Sequence, residues 1–145
     1  MTAGEWWRGE DVLETIAGQR SNIESAASQH GVDPSLIRAT IYEEQTHLLP
    51  GEGIAERFGV GDTVGLGQVT VGYYGYTREQ LLDPATNINA VARHLSTIQG
   101  QPLIDPSNRV GSIATRYNRG SATSITPYGR RVSGYFDSFS SGVWP

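Results

Sequence analysis

Two neighbouring carboxylates, Glu43 and Glu44, close a stretch patterned as a helix, and Glu44 stands where the pattern asks for an apolar side chain. Asp33 can cap the free amides at the start of residues 33–48, and Pro34 fits the first helical position, where a missing N–H costs nothing. At about 100° per residue, Ile37, Ile41, Glu44 and Leu48 form one stripe, while Glu43 projects away beside Leu36 and His47. A glutamate held against a core near a helix C-terminus feels desolvation and the negative end of the helix dipole. Both favour the protonated carboxyl, and such a group suits general acid catalysis near neutral pH. The competing reading is a half-exposed glutamate paired with an arginine.

The elements that would hold this acid read as helices. Residues 10–17 carry Val12, Leu13, Ile16 and Ala17 at helical spacing and stop at Gly18. Residues 21–30 follow, with Ser21 as cap, Glu24 completing a capping box and Gly31 closing the helix. Glycines at 51, 53, 59, 61, 65, 67, 72 and 75 then replace helical patterning with turns and close approaches, and short strands are expected around 65–71. Helices resume over 77–82, 85–98, 110–117 and 128–139, broken at Asp83-Pro84 and by a loop over 120–127. No internal repeat or linker interrupts the chain. The expectation is one mainly helical domain over 1–145, with a short glycine-rich β region.

Composition narrows the function. At 145 residues the chain is long enough for a hydrophobic core. Cysteine is absent, so there is no disulfide framework, thiolate nucleophile or thiolate metal site. Its net charge of −4, with arginine as the only strong base, argues against adhesion to nucleic acid. No apolar run is long enough to span a membrane, so no membrane insertion is expected. The first residues show no basic stretch followed by an apolar one, and so no secretory signal is expected. His30, His47 and His94 lack metal-ligand spacing, and Gly51-Glu52-Gly53 lacks the third glycine of a dinucleotide loop. Trp6 and Trp7 read as a core anchor for the N-terminal arm, and Tyr73, Tyr74 and Tyr76 as packing or as stacking surfaces.

Four islands carry a family likeness: Ala39-Thr40-Ile41-Tyr42-Glu43-Glu44-Gln45; Gly65-Leu66-Gly67-Gln68-Val69; Leu82-Asp83-Pro84-Ala85-Thr86-Asn87-Ile88-Asn89-Ala90-Val91-Ala92-Arg93-His94-Leu95; and Ile113-Ala114-Thr115-Arg116-Tyr117-Asn118-Arg119-Gly120. Their order and spacing over 23–136 resemble the soluble lytic transglycosylases and the goose-type lysozymes. The resemblance implies a lysozyme-like α+β fold with a glycan-binding groove, cutting the β-1,4 bond between N-acetylmuramic acid and N-acetylglucosamine. By position it implies Glu44 as the catalytic acid, Gln68 along the groove, and Tyr117 and Asn118 near the acid. Asp83, Pro84, Asn87 and Ile88 match a turn-and-cap element with a structural role.

The chain also departs from that pattern. Gly67 replaces a methionine, which leaves one wall of the groove smaller or its backbone freer. Gln45 replaces a serine, and Thr70 stands where an aspartate occurs in goose-type lysozymes. An inverting glycosidase needs a base about 6.5–9.5 Å from its acid, and a substrate-assisted route needs none. Asp62, just ahead of the groove island, is the first candidate base, with Glu52 and Glu56 behind it. Asp62 as a turn residue bonding its own backbone is the alternative.

The resemblance implies no metal or organic cofactor, and peptidoglycan strands as the partner. Either a hydrolase or a transglycosylase leaving 1,6-anhydro ends fits, as does an inactive glycan-binding module. Cytoplasmic synthesis with action in the periplasm or wall suits a phage-type lysin or, better, an antibacterial effector with a cognate immunity protein that occludes the groove.

Overall fold

The computed structural model describes residues 3–47 and 63–145, with side chains from residue 9 onward, and within these the chain is mainly helical. The first helices are α1 (Ala3–Gly18), α2 (Arg20–His30) and α3 (Pro34–Thr46). A two-stranded antiparallel hairpin follows, β1 (Thr63–Val64) and β2 (Val69–Thr70), pairing Thr63 with Thr70 and Val64 with Val69. A 3₁₀ turn at Tyr73–Gly75 leads to α4 (Arg78–Leu82), α5 (Pro84–Gln99), α6 (Arg109–Asn118) and α7 (Pro127–Ser140). No helix among the described residues is long and apolar enough to cross a membrane.

Local chemistry sets most helix starts. The Asp33 side chain accepts from Ser35 N, and Pro34 occupies the first turn of α3. Asp83 accepts from Thr86 N ahead of α5, again with proline following. Thr77 and Gln80 form a reciprocal capping box on α4. Gly31 ends α2 in the left-handed conformation, the expected use of glycine there. The expected box at Ser21 and Glu24 does not form. The cap position falls two residues earlier, at Gln19, which gives no side-chain cap, and Glu24 instead pairs with Arg20 at 3.0 Å. Gly65–Gln68 is also not strand but the turn between two short strands.

α3 sits at the centre, packed chiefly against α7 and α1 and also touching α2 and α5. α7 packs equally on α6, and α2 lies along α5. The core between them holds Ile23, Leu36, Ile37, Ile41, Leu81, Ile88, Val91, Leu95, Ile113 and Val132. Each such aliphatic side chain contributes about 1.5–3 kcal/mol by leaving water.

Because α3 is surrounded, it has two buried stripes. Leu36, Ala39, Thr40 and Glu43 form one and Ile37 and Ile41 the other, and all six are buried. The single-stripe expectation for Glu44 therefore needs correcting. Glu43 is the carboxylate sealed in the interior, with 1% of its surface exposed, and Glu44 is half-buried. A helix buried on several sides has no single face for a periodicity to report.

Candidate functional site

Three of the four islands reach the hairpin turn through hydrogen bonds. Gln45 Nε2, at the end of α3, donates to the Gly65 and Leu66 carbonyls at 3.1 and 2.9 Å. Asn87, in the first turn of α5 and fully buried, donates through Nδ2 to the carbonyls of Val64 (2.7 Å) and Leu81 (3.0 Å). Its Oδ1 accepts from Gly67 N at 2.9 Å. Tyr117, at the end of α6, donates its hydroxyl to the Gly67 carbonyl at 2.9 Å. A four-residue turn cannot satisfy these backbone groups itself, so it takes its shape from three surrounding helices. Asn87 is thus a pin for the hairpin, while Asp83 alone caps the helix.

Gly67 gains neither a wider groove nor a freer backbone from its missing side chain. A Cβ there would lie 2.1 Å from Val91 Cγ2 and 3.3 Å from the Tyr117 hydroxyl, so neighbours occupy the space. Gly65 is equally confined, with φ +80° and Asn87 Nδ2 at 2.2 Å from an added Cβ. Gln68 adopts φ +48°, unusual for a residue with a side chain. Its amide is held inside the turn, accepting from Thr63 Oγ1 at 2.8 Å and donating to the Gly65 carbonyl at 2.9 Å. Backbone held in this way recurs at functional sites, because the surroundings must over-determine it.

Beyond the turn lies a cleft of about 350 Å³, and Gln68, Tyr117 and Asn118 all line it. Tyr73, His94 and Arg116 line it as well. The Tyr73 and His94 rings stand 4.6 Å apart, and His94 and Tyr117 5.1 Å apart, giving a continuous aromatic wall. Tyr74, at φ +54°, bonds His94 Nδ1 at 3.1 Å and lies beneath the Arg93 guanidinium at 4.4 Å. Burial lowers the His94 pKa, which keeps the ring neutral at neutral pH. A second hollow of about 290 Å³ lies on the other side of the turn, lined by Gln45, Leu82 and Asn87, and Gln68 borders both.

Glu44 adjoins this cluster. The buried Tyr128, in the first turn of α7, donates its hydroxyl to Glu44 Oε1 at 2.7 Å. Burial first, and the Glu44 charge second, push the Tyr128 and Tyr117 hydroxyls well above the usual phenol range. Both phenols therefore remain hydrogen-bond donors at any physiological pH. Tyr128 holds the Glu44 carboxyl by one oxygen, while Tyr117 couples it to the cleft wall.

Glu43 has different company. Its Oε1 accepts from Arg131 Nε at 2.8 Å and Nη2 at 2.5 Å, and its Oε2 lies 3.4 Å from His47 Nε2. Glu43 thus makes a buried glutamate–arginine pair across to α7.

Asp62, Glu52 and Glu56 lie outside the described residues, and the side chains of Trp6 and Trp7 do too. Sequence reading missed Tyr128, which carries no local signal, and the roles of Gln45, His94 and Arg116. Among the described residues no three His, Asp or Glu side chains gather in a way that could hold a metal ion. The arrangement offers one carboxyl fixed by a phenol beside a cleft with aromatic and amide walls, which suits proton delivery to a polyhydroxylated ligand. No family model, curated protein or solved structure matches this chain.

Proposed function

We propose that this chain is a lysozyme-like enzyme that cleaves the β-1,4 bond between N-acetylmuramic acid and N-acetylglucosamine in peptidoglycan. Glu44 protonates the leaving oxygen, Gln68 and Asn118 contact the glycan, and Tyr117 links the acid to the sugar-binding cleft. The observation that carries this reading is the knot around Gly65–Gln68. Gln45, Asn87 and Tyr117, each from a different sequence island, converge by hydrogen bonds on that one turn. Glu44 is the residue beside Gln45 and is held by Tyr128 next to Tyr117.

In the hydrolytic form of the mechanism, Asp62 activates the attacking water. Mass spectrometry of fragments released from purified sacculi tests this. Reducing N-acetylmuramic acid ends are expected, and their yield should fall on the order of a hundredfold in Asp62→Asn. Fragments lighter by one water, with Asp62→Asn indifferent, would make the enzyme a lytic transglycosylase. Sacculi that bind the protein but release nothing would make it a glycan-binding module.

The proposal extends to context: an antibacterial toxin acting in the periplasm of rival bacteria and held in check by an immunity protein seated in the groove. Directing the chain to the periplasm of a Gram-negative host should lyse the cells, and directing Glu44→Gln there should not. Killing from the cytoplasm that persists in Glu44→Gln would point to a target other than the wall.

A further inference from the structure

Arg116 is the one charged side chain among the described residues that line the 350 Å³ cleft. It sits on α6 directly before Tyr117, and its Nη1 donates to the Gly120 carbonyl at 3.3 Å. Its Nε is buried and has no hydrogen-bond partner. Among the described residues no carboxylate lies within ion-pair distance of it, whereas Arg131 has Glu43, and Arg20 and Arg38 both have Glu24. A guanidinium presents five N–H donors in a rigid fork matched to the two oxygens of a carboxylate. A half-buried guanidinium at the edge of a concave site, with no carboxylate partner among the described residues, has N–H donors that a ligand carboxylate can take.

The rest of the cleft fits such a ligand. Its volume lies within the range of about 300–1,000 Å³ usual for small-molecule sites. Tyr73 is 40% exposed and offers a ring face to a sugar. The chain as a whole is anionic at −4, so Arg116 is a local reversal of sign where the cleft is lined.

We propose that this cleft selects a carboxylate carried by the muramyl part of the glycan, with Arg116 as the side chain that pairs with it. The inference rests on reading the cleft as a glycan groove and adds a substrate preference to it. A polymer of N-acetylglucosamine alone has no carboxylate. Muramic acid brings one on its lactyl ether, and its stem peptide brings others.

Calorimetric binding to the full chain carrying Glu44→Gln tests this without cleavage. Three ligands are compared: a tetrasaccharide of alternating N-acetylglucosamine and N-acetylmuramic acid with free lactyl carboxylates, the same glycan with those groups as carboxamides, and the neutral N-acetylglucosamine tetramer. The carboxylate form is expected to bind about tenfold tighter than the carboxamide form, the scale of a charge-assisted hydrogen bond. Adding Arg116→Gln should abolish the difference, and Arg116→Lys should keep part of it. A glycan whose lactyl groups are amidated by stem peptide identifies the source. An Arg116-dependent gain there assigns the contact to a stem carboxylate, and its loss assigns it to the lactyl group. Equal binding of carboxylate and carboxamide forms, together with no Arg116-dependent gain for the stem-peptide glycan, would overturn the inference while leaving the glycan reading standing. Failure of every glycan to bind would bring down both.

Discussion

Glu43 and Glu44 are identical side chains one residue apart, and α3 gives them different surroundings. On the α7 side, Glu43 is sealed from water and takes two N–H donors from Arg131 onto one oxygen. Glu44, by contrast, is half-buried and accepts from the hydroxyl of Tyr128, in the first turn of the same α7. A guanidinium fixes a carboxylate as an anion and commits it to structure. A phenol far from its own ionisation orients a carboxyl by donating to one of its oxygens. Under the proposed function burial does not by itself mark the acid, because the fully buried glutamate is the one paired with a guanidinium. Complete enclosure with a cationic partner marks the structural one.

The widest separation between the two faces is expected in catalysis. Glu44→Gln keeps the shape and the Tyr128 contact but removes the acid, so wall lysis should fall about 10²- to 10⁴-fold with the urea midpoint nearly unchanged. Glu43→Gln should retain most activity per folded molecule. Turbidity clearing at equal folded concentration decides between them, and the reverse ranking would exchange their roles.

A second way to break the comparison uses stability. Arg131→Met leaves Glu43 buried with its strongest donor gone, because His47 is solvent-exposed and 3.4 Å distant. Removing one partner of a buried pair costs about 3–5 kcal/mol, and Arg131 is 39% exposed, so the loss should be nearer about 2–3 kcal/mol. Replacing both members with apolar residues, Glu43→Leu with Arg131→Met, should recover most of it, since no charge is then stranded. Urea denaturation of the single and double variants measures this. A double variant no more stable than Arg131→Met alone would mean that the pair contributes by packing rather than by charge.

What the chain reveals in advance follows the range of the interactions. Asp33-Pro34, Asp83-Pro84 and Gly31 were legible because a cap acts within a few residues of itself. Ser21 misled because a capping box is only a local option, and the chain turned two residues earlier. The family likeness put Tyr117 near the acid; its bond to the hairpin, from a hydroxyl to the Gly67 carbonyl 50 residues away, had no local signal. The burial order of the two glutamates was misread because α3 is enclosed by elements far along the chain, among them the helix carrying Arg131 and Tyr128, 88 and 84 residues downstream. Periodicity describes one helix against one core, and α3 has neighbours on several sides. Gly67 was readable as an absence but not as a contact, since Val91 fills its place from another element.

The smallest expected effect separates the cleft wall from the ion-pair face by pH. The His94 ring nitrogens meet the hydroxyls of Tyr74 at 3.1 Å and Tyr73 at 3.4 Å, and burial lowers its pKa. Above about pH 6.5, the usual histidine value, the ring is neutral in both folded and unfolded chains and adds no pH dependence. Below it the unfolded chain takes up a proton that the folded chain resists, so the unfolded state binds more protons and folding stability declines. The contribution is thus fully present above pH 6.5 and is lost as pH falls toward the lowered folded value. Urea midpoints between pH 7.5 and 5 should drift downward, and His94→Gln should flatten part of that drift while leaving the Glu43–Arg131 pair in place. Titration of the ring by NMR reads the same quantity directly. A His94 midpoint at or above the usual value, or an unchanged slope in His94→Gln, would mean that the aromatic wall is open to water. Tyr73, His94 and Tyr117 would then give a ligand a more hydrated and weaker stacking surface.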